Sequence, residues 1–233
     1  MKIKDLIKAI EPIRIEGSTE KCITGLTCDS RQAKKHCAFI AVRGSRIDGS
    51  KFIAEAVHRK AACVISESDF EAGEDVTKIL VDDSRRACAV CADNFYNSPS
   101  KKLKITGITG TNGKTTTTYV IEEMLKTAGL KTAVLGTVNY RIGKDAIDAV
   151  NTTPGPIKLH ALFDLMVKKR TSFCLMEVSS HSLDQERVCG VKFSSAIFTN
   201  LSKEHLDYHK DMDSYFSSKA RLFKNLKSDA SAI

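Results

Sequence analysis

The segment Leu103 to Thr118, LKITGITGTNGKTTTT, is the feature that most constrains what this chain can fold into. An apolar strand runs into a glycine-bearing turn, and a Lys-Thr pair then opens a helix. Glycine tolerates positive φ and has no Cβ, so backbone N–H groups of the turn can point at an anion beside the positive end of the helix. The order therefore predicts a cradle for nucleotide phosphates on an α/β sheet.

The residue types in this loop suit a triphosphate and its magnesium ion, so ATP is the predicted ligand. Lys114 is placed to reach the β and γ phosphates, and the hydroxyl of Thr115 is placed to bind Mg²⁺. The spacing departs from the standard Walker A pattern, because Ile108 stands where that pattern has glycine. The predicted nucleotide-binding residues are Gly110, Thr111, Asn112, Gly113, Lys114, Thr115 and Thr116.

Composition excludes several other classes of protein. The 233 residues are 42% hydrophobic, enough to bury a core in one or two domains. No apolar run reaches the roughly 20 residues that span a bilayer, and the N-terminus has no signal-peptide core, so we expect a cytoplasmic protein. The formal net charge of +8 is spread along the chain, which favours polyanionic small substrates over nucleic acid.

The eight cysteines are predicted to be free thiols in apolar surroundings. Cys88 and Cys91 have CxxC spacing and could form a redox pair or half of a zinc site. No second pair accompanies them in the sequence, and their spacing puts both sulfurs on one helix face. The structural interpretation is therefore favoured.

Short apolar runs typical of strands alternate with segments of helical periodicity. This pattern predicts two α/β domains, residues 1–98 and 99–233, with the boundary in the turn-rich segment NSPSKK. The second is predicted to be a P-loop mononucleotide-binding domain with a mostly parallel sheet. A hairpin is expected within Val138–Val150, and a short helix near Leu183–Val188. The chain stops where another buried strand would begin, so this domain is expected to be incomplete.

Five segments together resemble the Mur ligase family, ATP-dependent amide-forming enzymes that build the peptidoglycan stem peptide, and its folylpolyglutamate synthetase relatives. They are CDSR from Cys28, TGTNGKTTTT from Thr109, NTTPG from Asn151, MEVSSHSLDQERV from Met176, and TNLSKEHLDYHKDMDSYFSSKARLF from Thr199. Within the family they look most like the type that adds the third amino acid to UDP-N-acetylmuramoyl-L-alanyl-D-glutamate. The resemblance covers essentially the whole chain.

The resemblance implies a reaction and its partners. The γ-phosphoryl of ATP would move onto the substrate carboxylate, and an amino acid would attack the resulting acyl phosphate. The first domain would bind the UDP-sugar, and the protein would act as a monomer. The family also has a C-terminal domain that chooses the amino acid, so we expect this chain to be a fragment that is inactive alone.

Four catalytic residues are predicted. Lys114 serves the phosphates, and Glu177 ends an apolar strand at the carboxyl edge of the sheet, where a carboxylate suits Mg²⁺. The resemblance adds His205 as a metal ligand and Lys219 as a lysine that CO₂ converts to a carbamate and that then helps to bind a second Mg²⁺. His209 is taken as structural. For Lys219 the alternative is a surface lysine on an amphipathic helix.

Substrate-binding residues follow from the resemblance in the same way. Those of the first domain would hold the UDP end, and those of the second would lie near the muramoyl-peptide. NTTPG also fits a turn or a helix cap. The predicted residues are Cys28, Ser30, Ser45, Arg46 and Ile47, then Asn151, Thr152, Thr153, Ser179, Gln185 and Arg187.

Two other functions fit the sequence. One keeps ATP-dependent amide synthesis with a different acceptor, as in folylpolyglutamate or cyanophycin synthetases. The other is a nucleotide-binding module without ligase chemistry. Consumption of ATP only in the presence of a carboxylate acceptor would reject the second, and affinity for a UDP-sugar would reject the first.

Overall fold

Two β-sheets organise this protein, and its buried apolar residues lie on their strands, on helices and in the connections between them. The computed structural model describes residues 1–44 and 47–233. The chain forms two compact units, Met1–Asn97 and Ser98–Ile233. Both units are α/β with mostly parallel strands, so the predicted fold class is confirmed.

The first unit contains a five-stranded sheet with the order β1-β5-β4-β3-β2. Two of its three interior strands, β3 and β4, are buried at every position, as expected for parallel strands covered on both faces. β1 pairs antiparallel with β5 and was not predicted, because its three residues are exposed or half-buried and carry no periodic pattern. The strands are β1 Arg14–Glu16, β2 Gly25–Thr27, β3 Cys37–Ile40, β4 Cys63–Ser66 and β5 Thr77–Leu80; the helices are α1 Ile3–Leu6, α2 Ile53–His58 and α3 Ser84–Phe95, with 3₁₀ turns at Ser30–Gln32 and Gly49–Phe52.

The second unit is built on a seven-stranded sheet with the order β12-β11-β6-β10-β7-β8-β9. The first five strands in this order run parallel, and the last two form the predicted hairpin, antiparallel to β7. The strands are β6 Lys104–Thr109, β7 Thr132–Leu135, β8 Asn139–Ile142, β9 Asp145–Asp148, β10 Phe173–Glu177, β11 Ser195–Phe198 and β12 Ser231–Ala232; the helices are α4 Lys114–Thr127, α5 Pro156–Lys168, α6 Ser180–Asp184, α7 Leu206–His209 and α8 Met212–Lys224, with a 3₁₀ turn at Pro99–Lys102.

One predicted helix is misplaced. The helix expected near Leu183–Val188 is α6, which begins at Ser180 and ends at Asp184. The Ser179 side chain accepts a hydrogen bond from Ser182 N at 3.1 Å, so this serine caps a helix that starts directly after the strand. The spacing of apolar residues alone does not locate the start of this helix, because a polar capping residue sets it.

The CxxC cysteines are buried on α3, as the structural interpretation requires. Cys88 Sγ lies 3.3 Å from Cys28 Sγ, and both are free thiols. Within residues 1–44 and 47–233, no cluster of three or more His, Cys, Asp or Glu side chains could hold a metal ion. No helix in those ranges is both long and apolar enough to cross a bilayer.

Lys210 adopts a strained backbone conformation between α7 and α8. Its φ of 66° and ψ of −51° form a γ-turn that is closed by Asp211 N donating to His209 O at 2.8 Å. Such a conformation costs about 1–3 kcal/mol for a residue with a Cβ.

We expect Lys210→Gly to raise the free energy of unfolding by about 1 kcal/mol, because relief of strain exceeds the larger backbone entropy that glycine gives the unfolded chain. Urea unfolding measures the difference. Lys203→Gly is the matched control, since Lys203 lies in the same region without positive φ and should gain no stability. Equal effects of the two substitutions would contradict strain at Lys210.

Candidate functional site

The loop after β6 has the geometry of an anion-binding cradle. Gly110 has φ 146° and Gly113 has φ 83°, values that glycine adopts readily. A Cβ on Gly110 would lie 1.9 Å from Thr199 Oγ1, so only glycine fits. The first hydrogen bond within α4 runs from Thr117 N to Gly113 O at 2.9 Å, which leaves the amides of residues 113–116 at the helix start for a ligand.

Asn200 clamps the middle of this loop. Its carbonyl accepts from Thr111 N at 2.9 Å, and its side-chain oxygen accepts from Asn112 N at 3.0 Å. Its Nδ2 also donates to Asn112 O at 3.1 Å. The residue after a neighbouring strand therefore already accepts from the amides of Thr111 and Asn112, and nucleotide binding by these two residues stays a prediction.

Two lysine ammonium groups converge on one carbonyl. Lys114 Nζ lies 2.9 Å from Gly110 O and 2.8 Å from Thr111 O, and Lys219 Nζ lies 2.8 Å from Gly110 O. Burial lowers the pKa of Lys114. Burial, and then the charge of Lys114, lower the pKa of Lys219 to about 8. Lys219 is 1% exposed, which excludes the surface-lysine alternative.

Glu177 places a fully buried carboxylate at the carboxyl end of β10. Thr115 Oγ1 lies 3.0 Å from each carboxylate oxygen. A Cβ on Gly136 would lie 2.2 Å from Glu177 Oε1, so the missing side chain at that position makes room for the carboxylate. A hydroxyl and a carboxylate are the hard oxygen donors that Mg²⁺ prefers, so Thr115 and Glu177 fit the ion that the sequence predicts.

His205 lies in a cluster of aromatic rings next to α7. It has φ 55° just before α7, and its ring centroid is 4.9 Å from that of His181 and 6.2 Å from that of Tyr215. The Tyr215 hydroxyl lies 3.2 Å from Thr111 Oγ1. His209 is buried, its Nε2 is 2.9 Å from Ser180 Oγ, and burial lowers its pKa, which fits a structural role. The role of His205 as a metal ligand stays a prediction.

The acceptor residues predicted in the second unit form one network around the end of β10. Thr153 Oγ1 donates to Glu177 O at 2.9 Å, and it accepts from Ser179 N at 3.1 Å. Arg187 Nη1 donates to Thr153 O at 3.0 Å. The side-chain oxygen of Gln185 accepts two bonds from the same guanidinium, which fixes its orientation.

Asn151 and Thr152 reach the same place through the hairpin. The Tyr140 hydroxyl donates to Asn151 O. Thr152 Oγ1 lies 3.0 Å from Thr137 Oγ1, which in turn bonds Glu177. The structure therefore brings all six predicted acceptor residues of this unit to one edge of the sheet, beside the phosphate loop.

The residues predicted to bind UDP in the first unit are less fully described. Ser30 is buried and donates from Oγ to Glu55 Oε2 at 2.6 Å. Cys28 is exposed beside Cys88, and Ile47 is 63% exposed. Ser45 and Arg46 lie outside the described residues.

Sequence reasoning missed four residues of the site: Gly136, Thr137, Thr199 and Asn200. All follow parallel strands at the carboxyl edge of the sheet, β7 for the first pair and β11 for the second. The signal was a polar or glycine residue directly after a predicted strand. Glu177 at the end of β10 shows a similar signal, and this residue was predicted; the residues after β7 and β11 were not.

The parallel sheet, the glycine loop at a helix start and the adjacent hydroxyl–carboxylate pair define a nucleoside-triphosphate-binding α/β protein. Family models narrow this class. Residues 22–96 match the model described as Mur ligase family, catalytic domain, and residues 108–233 match the model described as Mur ligase middle domain. This chain belongs to the Mur ligase family, as the resemblance in its sequence indicates.

Curated relatives and a solved structure agree with this assignment. Two relatives carry the name UDP-N-acetylmuramoyl-L-alanyl-D-glutamate–2,6-diaminopimelate ligase. The one from Clostridium perfringens is 42% identical to this chain over 96% of its length, and the one from Geobacter sulfurreducens is 45% identical over 97%. A solved ligase of the same name is 29% identical, with a TM-score of 0.81 over 97% of this chain. The chain spans about half the length of these proteins, at 46%, 44% and 46%.

We expect Asn200→Asp to weaken binding of the Mg²⁺–ADP complex about tenfold, because it replaces a donor to Asn112 O with an oxygen and adds negative charge beside the phosphates. Isothermal titration calorimetry measures the dissociation constant. Asn94→Asp is the matched control, since Asn94 Nδ2 donates to the carbonyls of Leu6 and Lys8 in the first unit. It should lower stability and leave nucleotide affinity unchanged. Unchanged affinity in Asn200→Asp would contradict the clamp.

Carbamate formation at Lys219 should increase with pH, because only the neutral amine reacts with CO₂. With a pKa of about 8, about one amine in ten is neutral at pH 7 and about nine in ten at pH 9. At fixed dissolved ¹³CO₂, the ¹³C NMR carbamate signal should therefore grow severalfold between these values. Lys219→Arg should abolish the signal, and a signal that persists in this variant would place the carbamate elsewhere.

Proposed function

We propose that this protein joins 2,6-diaminopimelate to UDP-N-acetylmuramoyl-L-alanyl-D-glutamate with hydrolysis of ATP to ADP and phosphate. The proposal is supported by relatives at 42–45% identity that are named for this reaction. The observation that carries it is the meeting of the phosphate loop, the Thr115–Glu177 pair and the acceptor residues at one sheet edge. A ligase needs all three within reach of one carboxylate.

The site suits phosphoryl transfer because it supplies cations and fixed dipoles where negative charge accumulates. The amides at the start of α4 would bind phosphate oxygens, and Lys114 would exchange its two carbonyl partners for the β and γ phosphates. Mg²⁺ held by Thr115 and Glu177 would neutralise charge on the γ-phosphoryl group. The acceptor carboxylate would attack this group and displace ADP, which gives an acyl phosphate. The amine of the amino acid would then attack the acyl carbon, displace phosphate and lose a proton.

Arg187 and its neighbours would hold the acceptor. The guanidinium is oriented by Gln185 and by the carbonyl of Thr153. Its planar, charged fork suits a carboxylate or a pyrophosphate. Thr153 is fully buried and ties this segment to the backbone of Glu177. Acceptor position and metal position are therefore set by the same strand end.

Lys219 would carry a carbamate in the active enzyme. Its amine is buried next to Lys114, and both features favour the neutral form that adds to CO₂. The ammonium first loses one proton; addition of the neutral amine to CO₂ then forms an N–C bond and releases a second proton. A cation thus becomes an anion that would bind a metal ion together with His205. We further propose that the UDP end of the acceptor binds to Cys28, Ser30, Ser45, Arg46 and Ile47. The enzyme would act as a monomer in the cytoplasm.

The decisive experiment supplies the full-length protein with ATP, Mg²⁺, UDP-N-acetylmuramoyl-L-alanyl-D-glutamate and 2,6-diaminopimelate. We expect mass spectrometry to show the tripeptide product, with phosphate released in equal amount. Glu177→Gln should lower kcat at least about a hundredfold, because it removes charge from the metal site. Lysine in place of diaminopimelate should give less product.

Two outcomes would contradict this function. Glutamate addition to a folate, without product from the UDP-dipeptide, would favour the other amide ligases. Release of phosphate at the same rate with and without the acceptor would favour a nucleotide-binding module that does not ligate.

A further inference from the structure

Thr137 lies between the metal-binding carboxylate and the acceptor segment. It follows β7 at the carboxyl edge of the sheet. Its N–H donates to Glu177 Oε1 at 3.2 Å, and its hydroxyl lies 3.0 Å from Glu177 Oε2. The same hydroxyl lies 3.0 Å from Thr152 Oγ1. One side chain therefore touches both halves of the predicted site.

The direction of these hydrogen bonds follows from the donors available. Glu177, as a carboxylate, only accepts, and a hydroxyl has one proton to donate. Thr137 must therefore donate to Glu177, and Thr152 must donate to Thr137. The result is a directed chain from Thr152 through Thr137 to the metal-binding carboxylate.

We propose that Thr137 is a positioning residue that couples the metal site to the acceptor site. Glu177, when a metal ion fixes its carboxylate, holds the Thr137 hydroxyl in the orientation that accepts from Thr152. Thr152 is then left with only acceptor capacity, so it fits an N–H donor, the peptide amide of an acylated amino acid. This inference rests on the proposed function, because it assigns a group of the acceptor to Thr152.

Backbone pairing brings the two threonines together independently of their hydroxyls. β8 pairs with β7, and β9 returns along β8, so the chain on either side of the hairpin meets at its base. The Arg141 guanidinium pairs with the buried Glu122 carboxylate of α4, which anchors the hairpin. Substitution of Thr137 should therefore leave the fold intact and change only the directed chain.

Coupling between sites is reciprocal, so each ligand must change the affinity for the other by the same factor. If Thr137 carries part of this coupling, its loss must affect Mg²⁺ and acceptor together. A role confined to holding Glu177 would weaken Mg²⁺ binding alone. A role confined to the hairpin would weaken acceptor binding alone.

The test uses the full-length protein and calorimetry. Thr137→Val keeps the shape and the backbone N–H but removes the hydroxyl, and Thr137→Ser restores it. Thr127→Val is the matched control, because the Thr127 hydroxyl bonds only a helix carbonyl, Glu123 O at 2.9 Å, at the far end of α4. The probes are Mg²⁺ titrated in the presence of ADP, and UDP-N-acetylmuramoyl-L-alanyl-D-glutamate added with and without Mg²⁺–ADP.

In Thr137→Val we expect the Mg²⁺ half-saturation point to rise about tenfold, as for loss of a hydrogen bond to a charged group. The gain in acceptor affinity on adding Mg²⁺–ADP should fall by a similar factor. Thr137→Ser should lie within about threefold of the wild type, and Thr127→Val should match it. In the double variant Thr137→Val/Thr152→Val, the losses should be smaller than the product of the single losses.

Each contrary result has a distinct meaning. A Thr137→Val protein whose Mg²⁺ half-saturation matches that of Thr127→Val overturns the role of Thr137, whether or not the acceptor binds. A change in Mg²⁺ binding with unchanged acceptor coupling also overturns it. Failure of the wild-type protein to bind the UDP-dipeptide overturns the proposed function instead.

Discussion

A buried carboxylate is the constraint on which the rest of this site depends. Glu177 is fully buried. An unpaired charge at such a position would cost several kcal/mol, even after the surrounding protein relaxes. Two hydroxyls offset this cost by donating hydrogen bonds to the carboxylate: Thr115 in the first turn of α4 and Thr137 just after β7. Gly136 leaves the space that the carboxylate occupies. The phosphate loop, the hairpin and the acceptor segment are therefore each fixed against one side chain.

The backbone of the phosphate loop is held by hydrogen bonds from a residue after a neighbouring strand and from two lysines. The Asn200 side chain, just after β11, bonds both the N–H and the carbonyl of Asn112, while Lys114 and Lys219 share the carbonyl of Gly110. Two cations at one acceptor repel each other, and this repulsion adds to burial in lowering the pKa of Lys219. A triphosphate on Lys114 and a carbamate on Lys219 would each remove part of the repulsion.

Sequence reasoning located the elements that periodicity and glycine chemistry control. The phosphate loop, the hairpin around Gly143 and the buried strands stand where apolar runs and turn residues place them. It failed for β1, which is too short and exposed to show a period, and for α6, whose start is set by Ser179. It also missed Thr137 and Asn200, because their importance depends on which strands become neighbours, and strand order is not encoded in local pattern.

The hairpin joins its two ends near the active centre but carries its tip away from it. Gly143 has φ 62°, and an added Cβ there would meet nothing within 4 Å. Since the base is fixed by Tyr140, Arg141 and strand pairing, the turn itself bears little of the packing. An inserted peptide, such as an epitope or a fluorophore tag, would therefore label the protein at this turn, away from the reacting groups.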